Sequence, residues 1–170
     1  MGIICFVLGG ANLNAQATTE KSALMALYNA TDGANWKNST NWGTSNDVST
    51  WFGVNVSGNK VTELNLTDNN LIGSIPDEFY NLVNLTFLHF RDNSLSGNIS
   101  PLIGNLDKLT FLGLNNNQFS GPLPSEMGNL IQLVEFYSQK NAFSGPVPLS
   151  FTALVSLKYI FLFDNKLTAL

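Results

Sequence analysis

At 170 residues, 44% of them hydrophobic, the chain has enough apolar material for one domain with its own core. Its formal charge is −4, with 8 Lys+Arg against 12 Asp+Glu. That excludes the basic stripe nucleic-acid binding needs to displace counterions. A single histidine and a single cysteine exclude a zinc-ligand cluster of the usual kind.

The one long apolar run, residues 3–8, is too short to span a bilayer. With Ala15-Gln16-Ala17 behind it, the run predicts a secretory signal over residues 1–17, cleaved after Ala15 or Ala17. The basic n-region is missing, so the start reads as truncated. Gly2 and Cys5 raise double lipidation, but Phe6 spoils the myristoylation pattern. Export is the preferred reading, and with it a secreted, extracellular or cell-surface location.

Residues 18–60 show no repeat. Thr19-Glu20 ahead of Leu24, Leu27 and Tyr28 predicts a capped amphipathic helix of about three turns, ended by Gly33. All the tryptophans follow: Trp36, Trp42 and Trp51. They predict an aromatic plug, because the first unit of a stacked array exposes apolar edges and needs a lid. The alternative is a tryptophan platform for sugars.

From residue 61 onward the chain keeps a step of 24 residues. Asn69, Asn93, Asn117, Asn141 and Asn165 share it, as do Gly73, Gly97, Gly121 and Gly145, and Pro76, Pro124 and Pro148. A fixed period of this length means stacked repeats: 61–84, 85–108, 109–132, 133–156 and an incomplete 157–170. Counted from each start, apolar residues fall at places 1, 4, 6, 11, 15, 19 and 22. Places 4 and 6 have the spacing of a strand with one buried face. Glycine at place 13 and proline at place 16 are expected to end regular pairing and turn the chain. The asparagine at place 9 is expected to satisfy backbone groups that the coil leaves unpaired, forming a structural ladder. On this reading Asn117→Leu is destabilising, whereas Asp92→Ala has little effect.

Two segments, LNLTDNNLIGSIPDEFYNL (64–82) and LGLNNNQFSGPLPSEMGNL (112–130), resemble the leucine-rich repeat of the plant-type extracellular class, LxxLxLxxNxLxGxIPxxLxxLxx. The resemblance implies an α/β fold. It would be a right-handed solenoid with a parallel β-sheet on its concave face and an N-terminal helical cap. Departures are local: Ser100 for proline, Ser138 at an inward place, and Ala169 for glycine. Trp51-Phe52-Gly53-Val54 resembles the family's cap, in which a cysteine pair brackets the motif; here Ser49 and Val56 hold those places, so the cap disulfide is absent. That cysteine-free cap and ALYNATDGANW (26–36) look most like bacterial surface proteins of the Bacteroidetes sort. Plant receptor-like kinase ectodomains and polygalacturonase-inhibiting proteins are also similar.

Places 3, 5 and 7 alternate with the buried ones and are expected to line the concave face. They are Glu63, Phe87, Phe111, Glu135 and Tyr159; Asn65, His89, Gly113, Tyr137 and Phe161; and Thr67, Arg91, Asn115, Gln139 and Phe163. Large aromatics on a solvated face mark an interaction site. The expected ligand-binding set is Phe87, His89, Arg91, Phe111, Asn115, Tyr137, Gln139, Tyr159 and Phe161, with a hollow at Gly113. The competing reading is that Phe161 and Phe163 are covered by further rungs. Asp68 and Asp92, at place 8 of adjacent rungs, are the one candidate acid–base or calcium pair; solvated turn residues are the preferred reading. Six N-x-[ST] sequons begin at Asn29, Asn38, Asn55, Asn65, Asn84 and Asn98, and asparagine-rich repeats produce such matches by accident.

The function expected is therefore a monomeric recognition module, not an enzyme, without cofactor, metal or membrane span. Its partner would be a protein, peptide or glycan. The alternatives are a surface spacer without a defined ligand and a fragment of a receptor-kinase ectodomain. Ice binding is an outsider, resting on Thr62, Thr86 and Thr110 at place 2, a row that Val134 and Lys158 interrupt.

Overall fold

The computed structural model describes residues 9–168, with side chains from residue 18 onward. The apolar run expected to belong to a signal, together with Gly2, Cys5 and Ala169, lies outside the described residues. The first element is α1, Gly9–Ala30, which corrects the expected start at Thr19. Nothing ahead of Thr19 stops a helix. Residues 11–17, ANLNAQA, lack proline and glycine, and three of them are alanine, the strongest helix former.

Thr19 and Glu20 therefore lie inside the helix, and Glu20 faces inward. Its buried carboxylate accepts the Val61 N–H at 3.0 Å and the Asn84 Nδ2 at 3.3 Å, tying the cap to the first rung. The helix also ends sooner than Gly33. Thr31 donates to the Leu27 carbonyl from both its N–H (3.0 Å) and its hydroxyl (2.7 Å), and Asp32 turns left-handed at φ 59. Gly33 is still required, because a Cβ there would run into the Tyr28 ring.

Trp42 is the middle of the plug, 4.9 Å from both Trp36 and Trp51, with Tyr28 stacked at 6.1 Å. Each indole N–H is paired: Trp36 with the Thr31 carbonyl (2.8 Å), Trp42 with that of Phe52 (2.9 Å) and Trp51 with that of Asn46 (3.2 Å). All three rings are buried, so none offers a free face to a sugar. The sugar-platform alternative is thereby ruled out.

An antiparallel hairpin, β1 (Val54–Ser57) with β2 (Lys60–Asn65), hands the chain to the solenoid. From β2 onward the sheet is parallel through β4 (Phe87–His89), β6 (Phe111–Gly113), β8 (Glu135–Tyr137) and β10 (Tyr159–Phe161). Its register follows the 24-residue step: Leu64, Leu88, Leu112, Phe136 and Ile160 stand side by side. The middle three are 1%, 0% and 0% exposed. Ile160, in the last rung, is 41% exposed.

A second parallel sheet was not legible from the repeat. It runs β11-β9-β7-β5-β3, with β3 at Ile72–Gly73, β5 at Ser94–Gly97, β7 at Gln118–Gly121, β9 at Ala142–Pro146 and β11 at Lys166–Thr168. Glycine at place 13 does not forbid pairing. It sits at or beside the end of β3, β5, β7 and β9, with φ between 73 and 126, a conformation that favours glycine. Four short 3₁₀ segments follow, Asp77–Asn81, Pro101–Asn105, Ser125–Asn129 and Leu149–Ala153. Where Ser100 replaces proline, its hydroxyl accepts the Leu102 N–H at 3.4 Å and caps the segment.

The asparagine ladder stitches successive rungs together. Asn93 Oδ1 accepts the N–H groups of Asn69 (3.1 Å) and Leu71 (2.9 Å), while its Nδ2 donates to the carbonyls of Leu66 (2.8 Å) and Phe90 (2.9 Å). Asn117, Asn141 and Asn165 repeat this on Leu95, Phe119 and Phe143, and Asn69 makes the equivalent contacts to Asn38 in the cap. Place 8 is left-handed in every rung, at φ 50–58 for Asp68, Asp92, Asn116, Lys140 and Asp164. Asp and Asn tolerate that region; Lys140 does not share the local hydrogen bonding that helps them. Ser138 is fully buried, and its hydroxyl reaches only the Phe161 carbonyl at 3.5 Å.

Candidate functional site

The register of the inner sheet decides what its solvent side carries. Parallel strands lie about 4.8 Å apart, which is also ring-stacking distance. Phe87 and Phe111 stack at 4.5 Å with 15° between planes, and Tyr137 and Phe161 at 5.1 Å with 7°. Phe111 and Tyr137 join the two pairs at 5.5 Å, and Phe163 meets Phe161 edge-on at 6.3 Å. The result is one aromatic ladder along the concave face. Within each stacked pair, the two rings cover one face of each other.

Gly113 interrupts the ladder at place 5. The hollow expected there is partly occupied, because the His89 ring leans over Gly113 so closely that a Cβ would strike it. His89 sits edge-on to Phe111 at 5.0 Å and to Phe87 at 5.8 Å. What remains is a depression of about 210 Å³ lined by His89, Arg91, Phe111, Asn115, Tyr137 and Gln139. All six belong to the set expected from the sequence.

The other members of the set stand elsewhere. Phe87 and Phe161 extend the ladder on either side of the depression, whereas Tyr159 is exposed at the outer edge and pairs with no ring among the described residues. Asn115 keeps to the concave side, with Leu114 before it in the core, but its neighbours around the depression cover it to 6% exposure. Glu135 joins the site, since the Tyr137 hydroxyl donates to its Oε2 at 2.7 Å. That bond, ahead of desolvation, holds the phenol above the ordinary tyrosine range. A carboxylate one strand-step from a tyrosine was readable at places 3 and 5, but nothing in the sequence pairs them.

Electrostatics at the depression are mild. Arg91 is exposed and its Nε donates to Asp92 Oδ2 at 2.8 Å. Asp92 also binds Asn116, and Asp68 binds Lys37, so the two place-8 carboxylates are engaged separately rather than as a pair. Among the described residues, no three His, Cys, Asp or Glu side chains gather to hold a metal. The threonine row is likewise turned inward to the backbone: the hydroxyls of Thr86 and Thr110 donate to the carbonyls of Thr62 and Thr86, each at 3.0 Å.

Burial, and secondarily Arg91, pushes the His89 imidazole below its usual 6.5, with Asp92 opposing. The folded state therefore favours the neutral ring. Stability is unaffected above about pH 6.5 and falls as acidity rises below it, because the unfolded chain takes up the proton first. As the only histidine, His89 makes the test clean. Urea unfolding at about pH 7.5 and about pH 5.5 should show a loss for the wild type that His89→Gln largely removes. Parallel losses in the two proteins would contradict this assignment.

A family model for the leucine-rich repeat matches residues 60–82, 84–106 and 108–130. No curated protein matches the sequence. Among solved structures, the chain is similar to the BIR2 ectodomain from Arabidopsis thaliana. The identity is 27%, the match covers 88% of this chain and 81% of that one, and the TM-score is 0.81. It is also similar to the leucine-rich-repeat ectodomain of the plant membrane receptor kinase GASSHO1/SCHENGEN3 from Arabidopsis thaliana, solved in complex with CASPARIAN STRIP INTEGRITY FACTOR 2. There the identity is 29%, over 89% of this chain but only 18% of that one, with a TM-score of 0.75. A plant ice-binding protein shares the fold alone, at 24% identity over 88% of this chain and 57% of that one, with a TM-score of 0.64. The chain thus carries leucine-rich repeats on an α/β solenoid built like plant receptor ectodomains. No helix among its described residues is long and apolar enough to cross a membrane.

Proposed function

We propose that this chain is a non-catalytic, extracellular recognition module that holds a protein or peptide along its concave face. The observation that carries the reading is the aromatic ladder of Phe87, Phe111, Tyr137 and Phe161. These side chains stand on the far side of the sheet from the core, which is already filled by Leu88, Leu112 and Phe136. Their size is therefore free to serve a contact. Export, with residues 1–17 as signal, residues 18–60 as cap and a monomeric solenoid after them, belongs to the same proposal.

A polypeptide fits better than a glycan. Sugars pack on the faces of aromatic rings, and here one face of each ring in the two stacked pairs is taken by its neighbour. Aromatic rings with Glu135 and Gln139 between them suit aliphatic and aromatic side chains and backbone amides. The cysteine-free cap and the ALYNATDGANW stretch (26–36) are our reasons to place its kin among bacterial surface proteins. A passive spacer would show no preference for the ladder.

Panning a random-peptide phage library on the wild type, with counter-selection on a Phe111→Ala/Tyr137→Ala protein, tests the proposal. Peptides are expected to be enriched on the first and lost on the second, with circular dichroism of the two unchanged. A glycan array run in parallel should stay blank. Equal recovery on both proteins would leave the ladder without a role.

A further inference from the structure

We infer that the depression beneath His89 and Phe111 is an anchoring site for one tyrosine side chain of the bound polypeptide. The inference rests on the recognition role proposed above and narrows it to one residue type. At about 210 Å³, the depression lies below the roughly 300–1,000 Å³ of small-molecule sites and matches a single large side chain. Half of its lining is aromatic: Phe111, Tyr137 and the His89 ring.

Two amide side chains, Asn115 and Gln139, line it. Gln139 Oε1 is enclosed without a hydrogen-bond partner among the described residues. Asn115 is almost fully buried beside it, and its backbone carbonyl accepts from Asp92 N at 3.2 Å and Asn117 Nδ2 at 3.3 Å. A buried amide oxygen left unpaired is a standing cost that an incoming polar group relieves. A hydroxyl both donates and accepts, so it serves an amide turned either way.

Charge narrows the choice further. A lysine or arginine entering here would meet Arg91, whose own charge is already engaged by Asp92, and a carboxylate would meet the nearby Glu135, so a neutral side chain is favoured. Phenylalanine meets the aromatic lining but leaves Gln139 Oε1 orphaned. A phenol fills both requirements.

The test is an NMR titration of the isotope-labelled full chain with N-acetyl-tyrosinamide and, separately, N-acetyl-phenylalaninamide. Tyrosinamide should shift resonances around Gly113 and bind roughly tenfold tighter than phenylalaninamide, the worth of one well-made hydrogen bond. In Gln139→Leu, and in Gln139→Met as a second variant, that preference should vanish while phenylalaninamide binding persists. A lost preference with retained apolar binding is not what simple misfolding produces. Equal affinity for the two amides in the wild type, or a preference that survives both substitutions, would overturn the anchoring site. If that happens while displayed peptides still depend on Phe111 and Tyr137, the concave-face reading stands and only the tyrosine anchor falls. If the displayed peptides fail too, both are lost.

Discussion

Trp42→Ala is expected to cost about 4 kcal/mol of unfolding free energy, within the roughly 3–5 kcal/mol typical of removing a buried large aromatic. Trp42 touches Tyr28, Trp36 and Trp51 at once, so its loss opens a cavity walled by three other rings that cannot all close on it. The change also orphans the Phe52 carbonyl, which the indole N–H holds at 2.9 Å. No disulfide within the chain compensates, because it has a single cysteine. Trp42→Phe keeps most of the ring contact and should lose about 1–3 kcal/mol, mainly the hydrogen bond. Urea denaturation followed by far-ultraviolet circular dichroism will separate the two. A loss below about 1 kcal/mol for the alanine variant would mean that the cap does not hold the first rung, contrary to typical core behaviour.

The second large effect is expected at Asn117. Its Oδ1 accepts the Leu95 N–H at 2.9 Å, and its Nδ2 donates to the carbonyls of Phe90 (2.8 Å) and Leu114 (3.1 Å). Asn117→Leu strands all three groups between rungs. At roughly 1–3 kcal/mol for a group left unsatisfied, and with incomplete additivity, the total is about 3 kcal/mol. The instructive comparison is Asp92. From sequence, Asp92→Ala should be nearly silent; the structure places Asp92 at φ 56, where alanine costs about 1–2 kcal/mol. Asp92→Gly should recover much of that loss, since glycine takes the left-handed conformation freely. The order expected in thermal and urea melts is therefore Asn117→Leu worst, Asp92→Ala intermediate and Asp92→Gly mildest. An Asn117 variant as stable as either Asp92 variant would remove the ladder's claim to hold rungs together.

The comparison at Asp92 shows where reading a repeat succeeds and where it stops. A period of 24 residues puts equivalent residues at equivalent heights, so the inner sheet and its buried leucines follow from spacing alone. Backbone conformation does not. Place 8 holds Asp, Asn and Lys, and only the first two advertise a left-handed turn. The second sheet was hidden because glycine at place 13 reads as an interruption, whereas it closes short strands. At Asn115 spacing gives the side of the sheet but not the exposure, because the residues around the depression cover it to 6%. The depression at Gly113 is a similar case. A missing side chain is visible in the sequence, but a neighbouring imidazole moving over the gap depends on rotamer choice and on what lies two rungs away.

The asparagine amides all reach the same way. Asn93, Asn117, Asn141 and Asn165 each bind the backbone of the turn before their own, and Asn69 binds the cap. Assembly from the ribosome thus acquires a direction: every newly emerged coil locks its predecessor, and the growing tip alone stays loose. A chain shortened at any coil boundary should fray over its final turn and remain whole behind it.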